Sequence, residues 1–179
     1  MEIYSQRFGS HKPVWGEKTP RNCFSYARLA AENPKAYFIS TVRHGLDVIT
    51  SKLDENPGKS SHEYHCSVQR YIDSMLCIYS FTNPRHFFVK YEDLVTKTSE
   101  TLAALFNFLG LPFDPMIIND LNRETISKDL KKVCQPKLNE PVQATWINRW
   151  RRPEHKKRIA EFMDRPDAVR WLQHSGYSA

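Results

Sequence analysis

The chain has 179 residues, 26 Lys and Arg against 20 Asp and Glu, a net charge of +6, and hydrophobic and charged fractions of 40% and 26%. That length suits one domain with a core of its own, and the fractions are ordinary for a soluble globular protein. No apolar run approaches the ~20 residues that span a bilayer, residues 1–10 hold no apolar signal core, and the positive excess favours an anionic partner without choosing between nucleotide, nucleic acid and acidic surface.

Pro and Gly punctuation divides the chain into short elements. Residues 21–33 read as a helix with Phe24, Ala27, Ala30 and Ala31 on one side, ended by Asn33-Pro34. Residues 37–42 (YFISTV) read as a buried strand, rich in aromatic and β-branched side chains. Residues 45–53 read as a helix leaving that strand, and Asn56-Pro57-Gly58 as a loop. A long helix follows over 61–81, with Tyr64, Val68, Tyr71, Ile72, Met75, Leu76 and Tyr79 at helical spacing. The second strand is 86–91 (HFFVKY). A helix over 99–109 places Leu102, Leu105, Phe106 and Leu109 at i, i+3, i+4 and i+7, with Gly110 as a left-handed C-cap and Pro112 beyond it. Residues 128–135 are polar and basic, 135–145 form a Pro-containing loop, 146–152 cluster Trp and Arg, and 153–163 and 167–174 read as closing helices.

Strands alternating with helices imply a parallel sheet covered by helices, an α/β fold. Two strands are fewer than such a sheet usually carries. Cys23, Cys66, Cys77 and Cys134 form no C-x-x-C pair. Cys66 and Cys77 share one predicted helix and, at about 1.5 Å per residue, stand too far apart to bridge. A reducing compartment, the cytoplasm, is the expectation.

Four segments carry chemistry. In YFISTVRHGLDVITS, Arg43 closes the first strand, at the edge where parallel sheets bind ligands, and its planar fork suits phosphate. Ser51 follows eight residues on (51 minus 43), on the departing helix. Pairing of Arg43 with the nearby Asp47 is an equal alternative. Lys18, in Trp15-Gly16-Glu17-Lys18-Thr19-Pro20, could neutralise a leaving phosphate or be a solvated loop residue. The string G-E-K-T does not fit G-x-x-x-x-G-K-[ST], since Gly9 and Gly16 are seven apart (16 minus 9) and Glu17 separates Gly16 from Lys18. Tyr91, in YEDL at the end of the second strand, could pack against a base or be a core tyrosine. Arg149 and Arg151, with Trp146 and Trp150, could hold phosphate and stack on rings, or snorkel over a surface turn.

Together these segments resemble the sulfotransferases that use 3′-phosphoadenosine 5′-phosphosulfate (PAPS). The order K-T-P, helix, strand ending in Arg, R-x-x-x-D-x-x-x-S, long helix, strand, YEDL, helix ending FLGLP, RWR and a final GY is similar to that family's C-terminal two thirds, and nearer its carbohydrate and tyrosylprotein branch than its small-phenol branch. The resemblance implies a single domain over 1–179 with a nucleotide-binding fold of the P-loop type. It implies a transfer of a sulfuryl group from PAPS to a hydroxyl or amine of a carbohydrate or protein, without a required metal. It gives Arg43 and Ser51 the donor's 3′-phosphate, Tyr91 the neighbourhood of adenine, Lys18 the sulfuryl end, and Arg149 or Arg151 a closing role.

The family's strand, glycine-rich loop and helix, which wrap the 5′-phosphosulfate, have no counterpart upstream of Lys18. Phe8-Gly9-Ser10-His11 is not such a loop, and the domain is expected to be N-terminally incomplete. Glu17 and His11 are the local candidates for a general base, and His62-Glu63-Tyr64-His65-Cys66 is a weak metal-like cluster better read as a helix surface. Two alternatives stay open. One is an inactive or truncated nucleotide-binding or interaction protein of the same fold. The other is a nucleic-acid module using Lys131, Lys132, Arg149, Arg151, Arg152 and residues 156–158 with Trp146 and Trp150.

Overall fold

A computed structural model of the chain describes residues 14, 16–55, 58, 60–121 and 144–178. The expectations for 8–11, Trp15, Asn56-Pro57, 128–135, most of 135–145 and Cys134 fall outside the described residues. A tight helical turn, Asn22–Ser25, leads into α1 (Tyr26–Glu32), followed by β1 (Phe38–Val42), α2 (Gly45–Glu55), α3 (Ser61–Ser80), β2 (His86–Lys90), α4 (Tyr91–Thr96), α5 (Thr98–Phe108) and α6 (Met116–Leu121). Three further tight turns (Ala144–Trp146, Arg149–Arg151, Pro153–His155) precede α7 (Lys156–Met163) and α8 (Pro166–His174).

β1 and β2 pair in parallel, with Phe38 opposite His86 and Val42 opposite Lys90. Because side chains alternate along a strand, Phe38, Ser40 and Val42 share one face with His86, Phe88 and Lys90. Tyr26 packs edge-on against Phe38 on this face, and Tyr79 stacks on Phe88. On the opposite face Phe108 of α5 covers Phe87 and Tyr37. The arrangement is the expected α/β layering. A hydrogen-bonded chain crosses the first face: Tyr26 to Ser40 at 2.9 Å, Ser40 to His86 Nε2 at 2.9 Å, and His86 Nδ1 to the Phe81 carbonyl at 3.2 Å. The carbonyl can only accept, so Nδ1 carries the proton and Ser40 donates to Nε2. Burial lowers the His86 pKa, which keeps the ring neutral.

The core gathers around α3. Ser60 and Glu63 form a capping box that starts it: Glu63 Oε2 accepts the Ser60 N–H at 2.9 Å, and Ser60 Oγ accepts the Glu63 N–H at 3.2 Å. Glu63 is thereby accounted for, and Cys66 lies 3.6 Å from His62 on an exposed face. α3 buries Tyr64, Val68, Tyr71, Ile72, Met75 and Ile78, whereas Leu76 is 49% exposed. At about 100° per residue, Leu76 stands about 120° round the helix from Tyr64, and Ile78 only about 40°. Phe162, Ala168 and Leu172 of α7 and α8 close the same core.

Two boundaries differ from expectation. Tyr91 opens a helix instead of ending the strand: Glu92 and Asp93 fall in its first turn, where acidic side chains suit the dipole. α6 was not expected; Asp114 Oδ1 accepts the Met116 N–H at 2.9 Å and Pro115 precedes its first turn. The Gly110 cap is as expected: its φ is +67°, and the Leu111 N–H reaches back to the Phe106 carbonyl at 2.9 Å.

Glu92 joins the two strand ends to the C-terminal Gly-Tyr. It accepts the His44 N–H at 3.0 Å and the Tyr177 hydroxyl at 2.5 Å. Burial, then the Glu92 carboxylate, hold the Tyr177 phenol well above its ordinary range, and burial likewise raises Tyr64 and Tyr71. The unfolded chain ionises these phenols near pH 10, so their raised folded values leave stability intact below that pH and remove it as pH rises further. Urea midpoints should therefore be flat up to about pH 9 and fall beyond about pH 10. A midpoint that held steady well above that range would contradict the assignment.

Candidate functional site

The site is built at the carboxyl end of β1. Burial alternates along the strand up to Val42, which is 2% exposed, and Arg43 is the first residue beyond it. One Arg43 N–H donates to the Trp146 carbonyl at 2.5 Å, and the guanidinium lies 4.6 Å from the centroid of the Tyr91 ring. Its Nε is buried with no hydrogen-bond partner. Among the predicted residues, Arg43 and Tyr91 are thus in direct contact.

Asp47 does not neutralise Arg43. Its carboxylate is 1% exposed and accepts two backbone N–H groups, from Asn148 at 2.8 Å and Trp150 at 3.1 Å. Asn148 has φ +60°, a left-handed conformation that Asn tolerates. Two turns further along α2, Asp54 holds Arg149 at 2.9 Å, His155 at 3.3 Å and Arg152 at 3.8 Å. Asp47 and Asp54, at i and i+7, therefore strap residues 144–155 across α2. Sequence reasoning took Asp47 only as a partner for Arg43 and gave Asp54 no role; the seven-residue spacing of two acids on one helix face was the available signal.

Arg149 and Arg151 lie in this strap. Arg149 stacks over Trp146 at 4.0 Å in addition to its ion pair, and Arg151 stacks over Trp150 at 4.4 Å. Ser51 is half-buried and falls between Asp47 and Asp54 on the same helix face, at i+4 from the first. Arg43, Ser51 and Arg149 thus border the strap side of α2.

The other side of α2 lines a cavity of about 510 Å³. Among the described residues that line it, the cations are Lys18, Arg43, Lys52 and Arg70, and none is a carboxylate. Arg43 belongs to both sides. Lys18 shares the cavity with it, whereas Ser51, Tyr91, Arg149 and Arg151 are not among the lining residues. Lys52 and Arg70 were not anticipated; both stand on the polar side of an amphipathic helix, where sequence alone reads a solvated charge.

Glu17 is engaged: it accepts hydrogen bonds from the Thr19 hydroxyl and the Asn22 amide. Those bonds hold its carboxyl below the ordinary range, the wrong direction for a general base near neutrality. His11 lies outside the described residues. Among the described residues, no group of three or more His, Cys, Asp and Glu is placed to hold a metal ion, and no helix is long and apolar enough to cross a membrane.

Comparison with known proteins gives one family and solved structures of one fold. Residues 2–115 match a family described as "Sulfotransferase family". The sulfotransferase domain from the Synechococcus PCC 7002 olefin synthase is 21% identical with a TM-score of 0.70; the match covers 99% of this chain and 63% of that one. The sulfotransferase domain from the curacin biosynthetic pathway is 18% identical with a TM-score of 0.61, covering 99% of this chain and 68% of that one. This chain therefore spans less than two thirds of the first of these domains. No curated protein matches it.

Proposed function

Because the chain belongs to the sulfotransferase family, we propose that it binds PAPS at the β1–α2 junction and serves the transfer of its sulfuryl group to a hydroxyl or amine. The observation that carries this reading is Arg43: a strand-end guanidinium with a buried, unpartnered Nε, on a residue at the wall of a cavity whose charged lining, among the described residues, is cationic. A bisphosphorylated nucleotide sulfonate has the charge for such a place. In the proposal, Arg43, Ser51 and Arg149 face the 3′-phosphate from the strap side of α2, and Tyr91 packs beside the adenine. Lys18 faces the sulfuryl end from the cavity and stabilises charge on the bridging oxygen as the S–O bond breaks.

Among the described residues there is no glycine-rich cradle for the 5′ end, so the chain alone is proposed as a donor-binding unit first and a complete catalyst second. The order of its motifs points to a carbohydrate or protein acceptor. A nucleic-acid role is less well supported, because Arg149, Arg152 and Arg158 are in ion pairs with Asp54, Glu154 and Glu161.

Thermal shift tests the donor reading. Adenosine 3′,5′-bisphosphate should raise Tm well above the effect of AMP; equal shifts would refute recognition of the 3′-phosphate. Two neighbouring substitutions then divide the site. Ser51→Ala should weaken adenosine 3′,5′-bisphosphate about five-fold, the worth of one ordinary hydrogen bond, and leave AMP unchanged. Lys52→Ala, on the cavity side, should weaken both nucleotides together.

A further inference from the structure

The cavity holds a second donor that no ligand has been assigned. Tyr71 lines it and is only 4% exposed, yet its hydroxyl is buried with no hydrogen-bond partner. A buried hydroxyl without a partner is costly, and the position is not an accident of a loose side chain. The Tyr71 ring end is pressed against Gly45, the first residue of α2: a Cβ added at Gly45 would lie 2.7 Å from both Cζ and the hydroxyl oxygen. The Val48 N–H bonds to the His44 carbonyl at 3.0 Å, which places Gly45 in the first turn. First-turn N–H groups have no partner within a helix, and the helix dipole favours an anion there. The buried phenol thus stands against the start of α2, on a residue that lines a cavity with no carboxylate among its described lining residues. Asp47, the one acid of this turn, directs its carboxylate to the Asn148 and Trp150 N–H groups.

We propose that the Tyr71 hydroxyl, presented at the start of α2 by the absence of a side chain at Gly45, donates a hydrogen bond to the 5′ anionic end of the donor nucleotide. This rests on the donor-binding reading above, and it supplies a side-chain donor to an end for which the described residues show no glycine-rich cradle. Burial keeps the phenol protonated at neutral pH, so toward an anionic oxygen, which only accepts, it serves as the donor. The group is a binding and positioning residue; the sulfuryl transfer itself is not assigned to it.

Tyr71→Phe removes the oxygen and keeps the ring. The unliganded variant should melt at or slightly above the wild-type temperature, because an unsatisfied hydroxyl has been deleted. By calorimetry it should bind adenosine 3′,5′-bisphosphate and AMP each about ten-fold more weakly, the loss of one donor to a charged acceptor, with the ratio between the two preserved because both carry the 5′-phosphate. Unchanged affinities overturn the inference, as does weakening of the bisphosphate alone, which would move Tyr71 to the 3′ end. A marked fall in the unliganded Tm also overturns it, by showing a structural partner for the hydroxyl. If wild-type protein binds both nucleotides equally and Tyr71→Phe weakens both, the 3′-phosphate reading fails and this inference stands. If wild type binds neither, both fail.

Discussion

Replacing Arg43 by alanine should erase the preference for adenosine 3′,5′-bisphosphate over AMP while leaving the weaker AMP binding largely in place. Only the 3′-phosphate distinguishes the two nucleotides, and Arg43 is the residue whose placement best explains such a distinction. One of its N–H groups is tied to the Trp146 carbonyl and its plane rests on Tyr91, so the guanidinium is held in one orientation before any ligand arrives. Hydrogen bonds to charged groups contribute about 1.5–3 kcal/mol each, which predicts a loss of about 10-fold to 150-fold for the bisphosphate. Arg43→Lys should recover little of it, since an ammonium has neither the fork nor the flat face that stacks on Tyr91. Calorimetric titration of both nucleotides checks the ratio. A variant that kept the wild-type ratio would remove Arg43 from the 3′-phosphate and with it the main support for PAPS as donor.

Much of this arrangement is legible in the sequence because local rules and tertiary packing agree. The aromatic and β-branched content of 37–42, the helical spacing of Tyr64, Val68, Tyr71 and Met75, and the glycine after Leu109 each prefigure the elements found, although the strand is buried on one face only. Tyr91 was misplaced because an aromatic residue at the end of a β-rich run suits a strand equally well; the acidic pair behind it decides for a helix. α6 was missed although Asp114-Pro115 is a start signal, because the six residues of Met116–Leu121 are too short for periodicity to register. The site was legible only in part. Arg43 could be placed at the ligand edge by strand polarity, and Lys18 by its loop. The unpartnered Tyr71 hydroxyl depends on the packing of α3 against Gly45. The crowding of Ser51 by the strap and the engagement of Arg149 by Asp54 depend on where residues 144–155 cross α2. That contact spans about a hundred residues of sequence and leaves no local signature.

The crossing itself should be the most fragile polar feature of the fold. Asp47→Ala deletes the acceptor of two buried backbone N–H groups, from Asn148 and Trp150, at a residue 1% exposed. Each unsatisfied N–H costs about 1–3 kcal/mol, so a loss of about 3 kcal/mol is expected, and for a chain of this size that lowers Tm by about 6–12 °C. Asp47→Asn retains one acceptor oxygen and should fall between. Ser51→Ala, on the same face, should stay within about 0.5 kcal/mol of wild type. The consequence reaches the site, because the strap carries the Trp146 carbonyl that fixes Arg43. Loosening it should cost affinity for adenosine 3′,5′-bisphosphate at temperatures where the variant is still folded. Asp47→Ala and Arg43→Ala should then be non-additive in a double-mutant cycle, since the second change removes a guanidinium the first has already released. Strictly additive losses would show that the strap and the phosphate ligand act independently, and that Asp47 serves the fold alone.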